Sequence, residues 1–171
     1  MRIGITGHQY LDDPQGWDWV KEQIDDLLTK LPGPTTGISC LAVGADSLFA
    51  ELVLQHRGSL EAVLPFQEYE LELQLDDRNK YLELLARASA MTVIGTMRSK
   101  QQSYLEAGKR VVDIAELLLA VWNKAPAKGP GGTADIVEYA LRERRDVVCL
   151  DPIGRLVTIS GTATLVRSVL E

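Results

Sequence analysis

The chain has 171 residues, of which 46% are hydrophobic and 25% are charged, as in an ordinary soluble globular protein. This length fits one domain with a substantial core. The formal net charge of -6 and the pI of about 5.0 argue against a nucleic-acid-binding surface, which usually needs clustered Lys and Arg.

The amino-terminal residues do not resemble a signal peptide, and no apolar run approaches the roughly 18 residues that a membrane span needs, so we expect a cytoplasmic protein. Cys40 and Cys149 lie in apolar strand-like segments and are predicted to be reduced and structural. His8 and His56 are the only histidines, and no Cys-His spacing accompanies them. We therefore expect neither a metal site nor a cofactor.

Short apolar strands alternate with amphipathic helices along the chain. A strand at Arg2–Thr6 is followed by a helix whose apolar residues recur at helical spacing from Trp17 to Leu31 and stop at Pro32. Further strands are predicted at Ile38–Val43, Leu60–Pro65, Met91–Gly95, Leu117–Trp122, Val147–Asp151 and, at an edge, Leu156–Ser160. A terminal helix is predicted at Thr162–Leu170. This alternation predicts an α/β domain over residues 1–171 with six to seven strands, mainly parallel, and helices on both faces.

A glycine-rich loop separates the strand at Leu117–Trp122 from a helix that begins near Thr133. The loop contains Pro126, Gly129, Pro130, Gly131 and Gly132. The first amides of a helix lack partners within it and can bind an anion, and adjacent glycines let the backbone approach a phosphate. The hydroxyl of Thr133 can cap the helix or donate to a ligand oxygen. The alternative is a tight turn with a cap and no ligand.

Other polar loops follow the predicted strands at the same edge of the sheet. They contain Gly7-His8-Gln9, Gly44-Ala45-Asp46 and Arg98. Ligands of such sheets bind outside the carboxyl ends of the strands, so these loops are predicted to line a binding site. Asp46 or Ser47 is suited to cap the helix after the second strand, and Arg98 either reaches a ligand phosphate or is solvated.

Two further predictions concern single elements. Asp76 or Asp77 is predicted to cap the helix that runs through Tyr81 to Ala88. Trp122 and Asn123 lie at the end of the fifth strand. The ring of Trp122 either stacks on a base or belongs to the core, and the side-chain amide of Asn123 can form hydrogen bonds with the edge of a base.

Three motifs carry a resemblance to a known superfamily. CLAVGADSLFAE is similar to an element of the DNA-processing protein A family, and GPGGTADIVEYA is similar to the Pro-Gly-Gly loop of the lonely guy (LOG) phosphoribohydrolases. Together with the GITGH start, the chain resembles the SLOG (SMF/DprA/LOG) superfamily over nearly its whole length. The resemblance implies a single-domain, Rossmann-like three-layer sandwich that binds a nucleotide or nucleotide-derived ligand, with the glycine loop and the next helix at the phosphate.

The loop departs from that of the hydrolases, which reads Pro-Gly-Gly-x-Gly-Thr-x-x-Glu. Glu138 matches the glutamate, but Ala134 and Asp135 replace the Gly-Thr pair. A register that uses Gly132-Thr133 as this pair displaces the glutamate. Asp135 also adds a negative charge beside the anion.

A hydrolase needs a cation beside its carboxylate at the ribose-base bond. Arg98 precedes the position of the family's arginine, and the register of Arg110 is ambiguous. Glu138 is either an acid/base group or a solvated surface residue.

The residues and the resemblance together rank three functions. The first is a nucleotide-binding module, which can act as a sensor. The second is a phosphoribohydrolase that releases a base from a nucleoside monophosphate, with Glu138 or Asp135 as the acid/base and Arg98 as its cationic partner. Single-stranded DNA binding ranks third because the protein is acidic. The expected partners are a small nucleotide ligand and further copies of this chain, and neither nucleic acid nor a membrane.

Overall fold

The computed structural model of the chain describes residues 1–95, 97–126 and 129–161. The strands within these residues are β1 (Arg2–Gly7), β2 (Thr36–Ser39), β3 (Ser59–Leu64), β4 (Ala90–Val93), β5 (Leu117–Val121), β6 (Asp146–Asp151) and β7 (Leu156–Ser160). The helices are α1 (Pro14–Lys30), α2 (Ala45–Gln55), α3 (Leu75–Ala86), α4 (Lys100–Ile114) and α5 (Thr133–Arg142), and a 3-10 turn spans Tyr69–Glu72. The terminal helix predicted at Thr162–Leu170 lies outside the described residues.

The strands form one sheet in the order β4-β3-β2-β1-β5-β6-β7. Every neighbouring pair from β4 to β6 is parallel, and only β7 runs antiparallel to its neighbour β6. The predicted α/β fold with a mainly parallel sheet of six to seven strands is therefore confirmed.

Different helices pack on the two faces of the sheet. On one face, α1 and α2 pack against β1, β5 and β6, and α3 packs against β3. On the other face, α4 and α5 cover the remaining side of the sheet. The apolar run of β5 reflects this arrangement, because Leu119 faces α1 and α2 whereas Leu118 and Ala120 face α4 and α5. All five residues of β5 are buried.

The chain leaves β1 and β5, which are hydrogen-bonded neighbours, in opposite directions. From β1 it proceeds through α1 to β2 on one side of the sheet, and from β5 it proceeds through α5 to β6 on the other side. The loops that follow these two strands therefore diverge to opposite faces. They leave a crevice at the carboxyl ends of the strands, which is the usual ligand site of open parallel sheets.

Two predicted features around β2 are wrong. The strand was expected to continue to Val43 but ends at Ser39, because the amide of Cys40 donates to the Asp46 carboxylate at 3.0 Å and Leu41 has a φ of 56°. Neither Asp46 nor Ser47 caps α2: the N-cap is Gly44, and no side-chain cap hydrogen bond is formed.

The predicted cap of α3 is also wrong. Gln74 occupies the N-cap position without a side-chain hydrogen bond, and Asp76 and Asp77 lie in the first turn. Their negative charges still favour this end of the helix, where the backbone amides carry partial positive charge. In α4 the cap is Ser99, whose hydroxyl accepts a hydrogen bond from the amide of Gln102 at 3.2 Å.

Replacing Leu119 with Ala tests the central position of β5. We expect Leu119→Ala to lower the free energy of unfolding by about 2–5 kcal/mol, because it leaves a cavity in a fully buried strand. Leu141→Ala is the matched control, since Leu141 is 45% exposed on α5, and its effect should stay within about 0.5 kcal/mol. Urea denaturation of both variants measures the difference, and equal losses would contradict this packing.

Candidate functional site

A cavity of about 1110 Å³ opens at the carboxyl ends of the strands. Its walls come from the loops after β1, β2, β3 and β5, from the second and third turns of α4, from the first turn of α5, and from the turn between β6 and β7. The predicted ligand-binding residues that line it are Gly7, His8, Gln9, Asp46, Trp122, Asn123, Gly129, Gly131, Gly132 and Thr133. Segments that are far apart in the sequence thus meet around one space large enough for a nucleotide.

The loops after β1 and β5 are linked by their side chains. His8 Nε2 lies 3.1 Å from Asn123 Oδ1, and the same oxygen accepts a hydrogen bond from the amide of Ala125 at 3.1 Å. The backbone continues this pairing, because the amide of His8 donates to the carbonyl of Val121 at 3.0 Å. His8 and Asn123 therefore fix the floor of the crevice between the two strands.

Gly44 and Ala45 shape the site without lining the cavity. The amide of Ala45 donates to the carbonyl of His8 at 3.0 Å, and a Cβ on Gly44 would lie 2.5 Å from the same oxygen. Gly44 also has a φ of +85°, which side chains rarely adopt. Gly7 lets the start of α2 approach the end of β1, since a Cβ added to Gly7 would lie 2.5 Å from the Cβ of Ala45. These contacts hold the His8 loop against the start of α2.

Asp46 is a buried carboxylate in the cavity wall. Its Oδ2 accepts hydrogen bonds from the amide of Cys40 at 3.0 Å and from the hydroxyl of Ser39 at 3.2 Å. Burial raises the pKa of Asp46 to about 7, although hydrogen bonds from Cys40, Ser39 and Ala42 oppose this shift. The Asp46 carboxyl therefore changes its charge near neutral pH, at the surface of the cavity.

Cys40 lies beside Asp46 in the same wall. Burial, together with the negative charge of Asp46, raises the pKa of the Cys40 thiol well above its ordinary value. The thiolate is the nucleophilic form of cysteine, so this thiol is poorly suited to covalent catalysis. The predicted structural role of Cys40 fits this environment.

The glycine-rich loop places the amino end of α5 in the cavity. Gly131 has a φ of +84°, and a Cβ there would lie 2.8 Å from the backbone nitrogen of Leu105 in α4. The amide of Gly131 donates to Asp135 Oδ2 at 2.9 Å, and the amide of Gly132 donates to the carbonyl of Gly129 at 3.1 Å. Two amides of the loop therefore already have acceptors within the protein.

The next amides, those of Thr133 and Ala134, belong to the first turn of α5 and cannot find partners within the helix. Both residues line the cavity. Gly132 occupies the N-cap without a side-chain hydrogen bond, so the predicted cap by Thr133 is not formed. Asp135 does not line the cavity, but its carboxylate opposes an anion at this helix end.

Trp122 combines the two environments predicted for it. Its side chain is partly buried against the core beneath α5 and also lines the cavity. The indole nitrogen donates to the carbonyl of Ala125 at 2.8 Å, which orients the ring. Trp122 is therefore both a packing residue and a wall of the site.

The two predicted catalytic residues do not reach the cavity. Glu138 and Arg98 are exposed, and neither lines it. Glu138 lies on the outer side of α5, opposite the buried Ile136 and Val137. Arg110 is close enough to Glu61 to affect its pKa, and Glu61 binds Arg2 near the start of β1, far along the strand from the cavity. The structure therefore does not bring Glu138 together with Arg98 or with Arg110.

Sequence reasoning missed most of the acidic and aromatic lining. Asp12, Asp13, Glu72 and Asp77 line the cavity, as do Cys40, Tyr69 and Tyr104. Asp12 and Asp13 could have been found, because they follow the Gly7 to Gln9 loop directly. The contributions of the 3-10 turn and of α3 depend on how the β3–β4 connection folds back, which no local pattern specifies.

The charge of the lining is one-sided. Its charged residues are the carboxylates Asp12, Asp13, Asp46, Glu72 and Asp77, whereas no Lys or Arg lines the cavity in the described part of the chain. Lys100 is near the rim, but its ammonium pairs with Glu72 at 2.6 Å. Within the described lining, the positive potential available to an anion therefore comes from the backbone amides at the start of α5.

Within residues 1–95, 97–126 and 129–161, no group of three or more His, Cys, Asp and Glu side chains is placed to hold a metal ion. No helix in these ranges has the length and apolar character needed to cross a membrane.

Known structures share this fold. DNA processing protein A from Streptococcus pneumoniae matches with a TM-score of 0.63 and 21% identity, over 88% of this chain and 50% of that one. DNA processing protein A from Helicobacter pylori matches with a TM-score of 0.65 and 15% identity, over 88% of this chain and 65% of that one. The molybdenum cofactor carrier protein from Chlamydomonas reinhardtii matches with a TM-score of 0.50 and 19% identity, over 86% and 74%. No protein-family model and no curated protein matches the sequence.

These likenesses confirm the Rossmann-like fold that the motifs predicted. The chain spans half the length of the S. pneumoniae protein and 65% of the H. pylori protein. The H. pylori structure concerns single-stranded DNA binding, which is a property of that protein.

Asp46→Asn tests the burial of the Asp46 carboxyl. In the folded protein its pKa is about 7, against 3.8 for an ordinary Asp, so between these values the folded state holds more protons than the unfolded state. We therefore expect the free energy of unfolding of the natural protein, relative to Asp46→Asn, to fall as the pH rises from about 4 to about 7 and then to level off. The slope should not exceed about 1.4 kcal/mol per pH unit.

Urea denaturation of both proteins at a series of pH values measures this difference. Since the asparagine does not titrate and all other groups are shared, the subtraction isolates Asp46. A difference that is constant, or that grows with pH, would show that the Asp46 carboxyl is not held in its protonated form.

Proposed function

We propose that this domain binds a nucleotide or a nucleotide-derived ligand in the cavity at the carboxyl ends of its strands, as a binding module that can serve as a sensor. One observation carries the proposal: loops that follow four different parallel strands meet around a cavity of about 1110 Å³ at the crevice between β1 and β5. A volume of this order holds a nucleotide-sized molecule.

The amino end of α5 is the place for an anionic group of the ligand. Thr133 and Ala134 line the cavity and lie in the first turn of α5, whose amides have no partners within the helix, and such amides attract phosphate or carboxylate groups. The amide of Gly131 is committed to Asp135, so the anion-binding surface is smaller than that of a full glycine loop. We therefore expect α5 to bind a single anionic group of the ligand.

Aromatic side chains support a planar ring in the same ligand. Tyr69, Tyr104 and Trp122 line the cavity. Stacking of a base on an aromatic ring contributes about 1–3 kcal/mol in single-strand binding sites, so such walls favour bases over simple sugars.

The alternatives gain no support from the geometry. A phosphoribohydrolase with Glu138 and Arg98 would need both residues at the ligand, but both are exposed and neither lines the cavity. Single-stranded DNA binding would need cations along a groove, and the charged lining described above is acidic. A small ligand in the cavity therefore remains the function that the site supports best.

A panel of ribonucleosides and nucleoside mono-, di- and triphosphates tests the proposal. Thermal shift and release of free base are followed in the same samples. We expect stabilisation without base release. Absence of a shift throughout the panel would refute the proposal, and base release would identify an enzyme instead.

Asp135→Asn tests the place of the anionic group. The asparagine oxygen can still accept the bond from Gly131, but the negative charge at the end of α5 is gone. We expect a nucleoside monophosphate to bind about 2–5-fold more tightly, which corresponds to about 0.3–1 kcal/mol. Asp18→Asn on the exposed side of α1 makes the same change in net charge and should leave the affinity unchanged. Isothermal titration measures the affinity of both variants. Equal effects of the two substitutions would show that the anionic group of the ligand does not bind at α5.

A further inference from the structure

Tyr69 combines burial, contact with the cavity and an unused polar group. The side chain lines the cavity although the residue is only 5% exposed. Within residues 1–95, 97–126 and 129–161 its hydroxyl makes no hydrogen bond to the protein, and it is not sealed from solvent, unlike the hydroxyl of Tyr81. A ligand that enters the cavity can therefore reach this hydroxyl and take the place of the solvent beside it.

The ring of Tyr69 is held in place by other aromatic rings. Phe66 and Tyr81 meet it at centroid distances of 5.8 Å and 5.7 Å, and Tyr104 does so at 6.1 Å, all in edge-to-face geometry. Such packing fixes the position of the hydroxyl before a ligand arrives. Because the side chain is already ordered, it loses little conformational entropy when a ligand binds.

Carboxyl groups that can accept hydrogen bonds line the same cavity. Asp46, Glu72 and Asp77 belong to the same lining as Tyr69. Burial, followed by the charge of Asp46, raises the pKa of Tyr69, so its hydroxyl keeps its proton and remains a donor. We name this part, formed by Asp46, Tyr69, Glu72 and Asp77, the acidic end of the cavity.

We propose that the acidic end binds the uncharged sugar and base of a nucleoside, so that binding does not require a phosphate. The Tyr69 hydroxyl donates to an oxygen or ring nitrogen of the ligand, and carboxyl oxygens of Asp46 and Asp77 accept hydrogen bonds from its hydroxyl or amine groups. This proposal rests on the proposed function and assigns Tyr69 as a residue that determines ligand specificity.

The same charges limit the number of phosphates on the ligand. The cavity has five acidic lining residues, and its described lining contains no Lys or Arg to neutralise a polyphosphate. Each added phosphate beyond the one at α5 meets like charge, and such repulsion is an effective means of discrimination. A nucleoside should therefore bind within tenfold of its monophosphate, and the triphosphate at least tenfold more weakly.

Tyr69→Phe and Tyr81→Phe form a matched pair. Both remove the hydroxyl of a buried tyrosine and keep the ring, and within the described residues neither hydroxyl bonds to the protein; that of Tyr81 is sealed from solvent, whereas that of Tyr69 is not. Tyr81 does not line the cavity, whereas Tyr69 does. Neither substitution opens a cavity or strands a partner, so both variants should fold, and circular dichroism with thermal melting verifies this.

The experiment measures, by isothermal titration, the affinities of the four ribonucleosides and of their 5′-mono- and triphosphates for the natural chain and both variants. We expect Tyr69→Phe to weaken nucleoside binding about tenfold, as for one lost hydrogen bond in a buried site. Tyr81→Phe should leave the affinity unchanged.

Three results would overturn this proposal. Nucleotides that bind while their nucleosides do not would show that the phosphate dominates recognition, and equal affinities of the natural chain and Tyr69→Phe would exclude the hydroxyl. Both results would leave the proposed nucleotide site standing. Failure of every nucleoside and nucleotide to bind would refute the proposed function and this inference together.

Discussion

The parallel pairing of β1 with β5 is the constraint on which the other features of this domain depend. These strands are neighbours at the centre of the sheet, yet the chain leaves them toward opposite faces. Since a right-handed crossover fixes the face on which each helix packs, the loops after β1 and β5 must separate. The crevice between them is a consequence of topology. The link between His8 and Asn123 spans its floor.

Close backbone approaches convert this crevice into a shaped site. Gly7 and Gly44 allow α2 to begin against the His8 loop, and Gly131 allows the loop before α5 to lie against the backbone of α4. A side chain at any of these positions would push two elements apart. These glycines therefore act on the ligand through the backbone that they position, even where, as at Gly44, they do not line the cavity.

Much of the fold was predictable from the sequence, because each apolar run had the length of a buried strand and each helix had a regular apolar face. β5 is the clearest case, since its unbroken apolar run matches burial on both faces. The end of β2 was not predictable, because it depends on the bond between Cys40 and Asp46 across a turn. Likewise, Tyr69 and Asp77 reach the site through the fold of a long connection, whereas the glycine motifs lie directly after strands, where parallel topology places ligands.

Electrostatics then separates the site into two unlike parts. The amides of the first turn of α5 offer partial positive charge, but Asp135 reduces it and also takes the amide of Gly131. At the acidic end, the carboxylates and the Tyr69 hydroxyl offer directional hydrogen bonds in a buried setting, where such bonds discriminate strongly between ligands. Because helix-end attraction for an anion is typically only about 0.3–1 kcal/mol, it cannot by itself hold a nucleotide at micromolar concentration. In the proposed function, recognition of the uncharged part of the ligand therefore supplies most of the affinity.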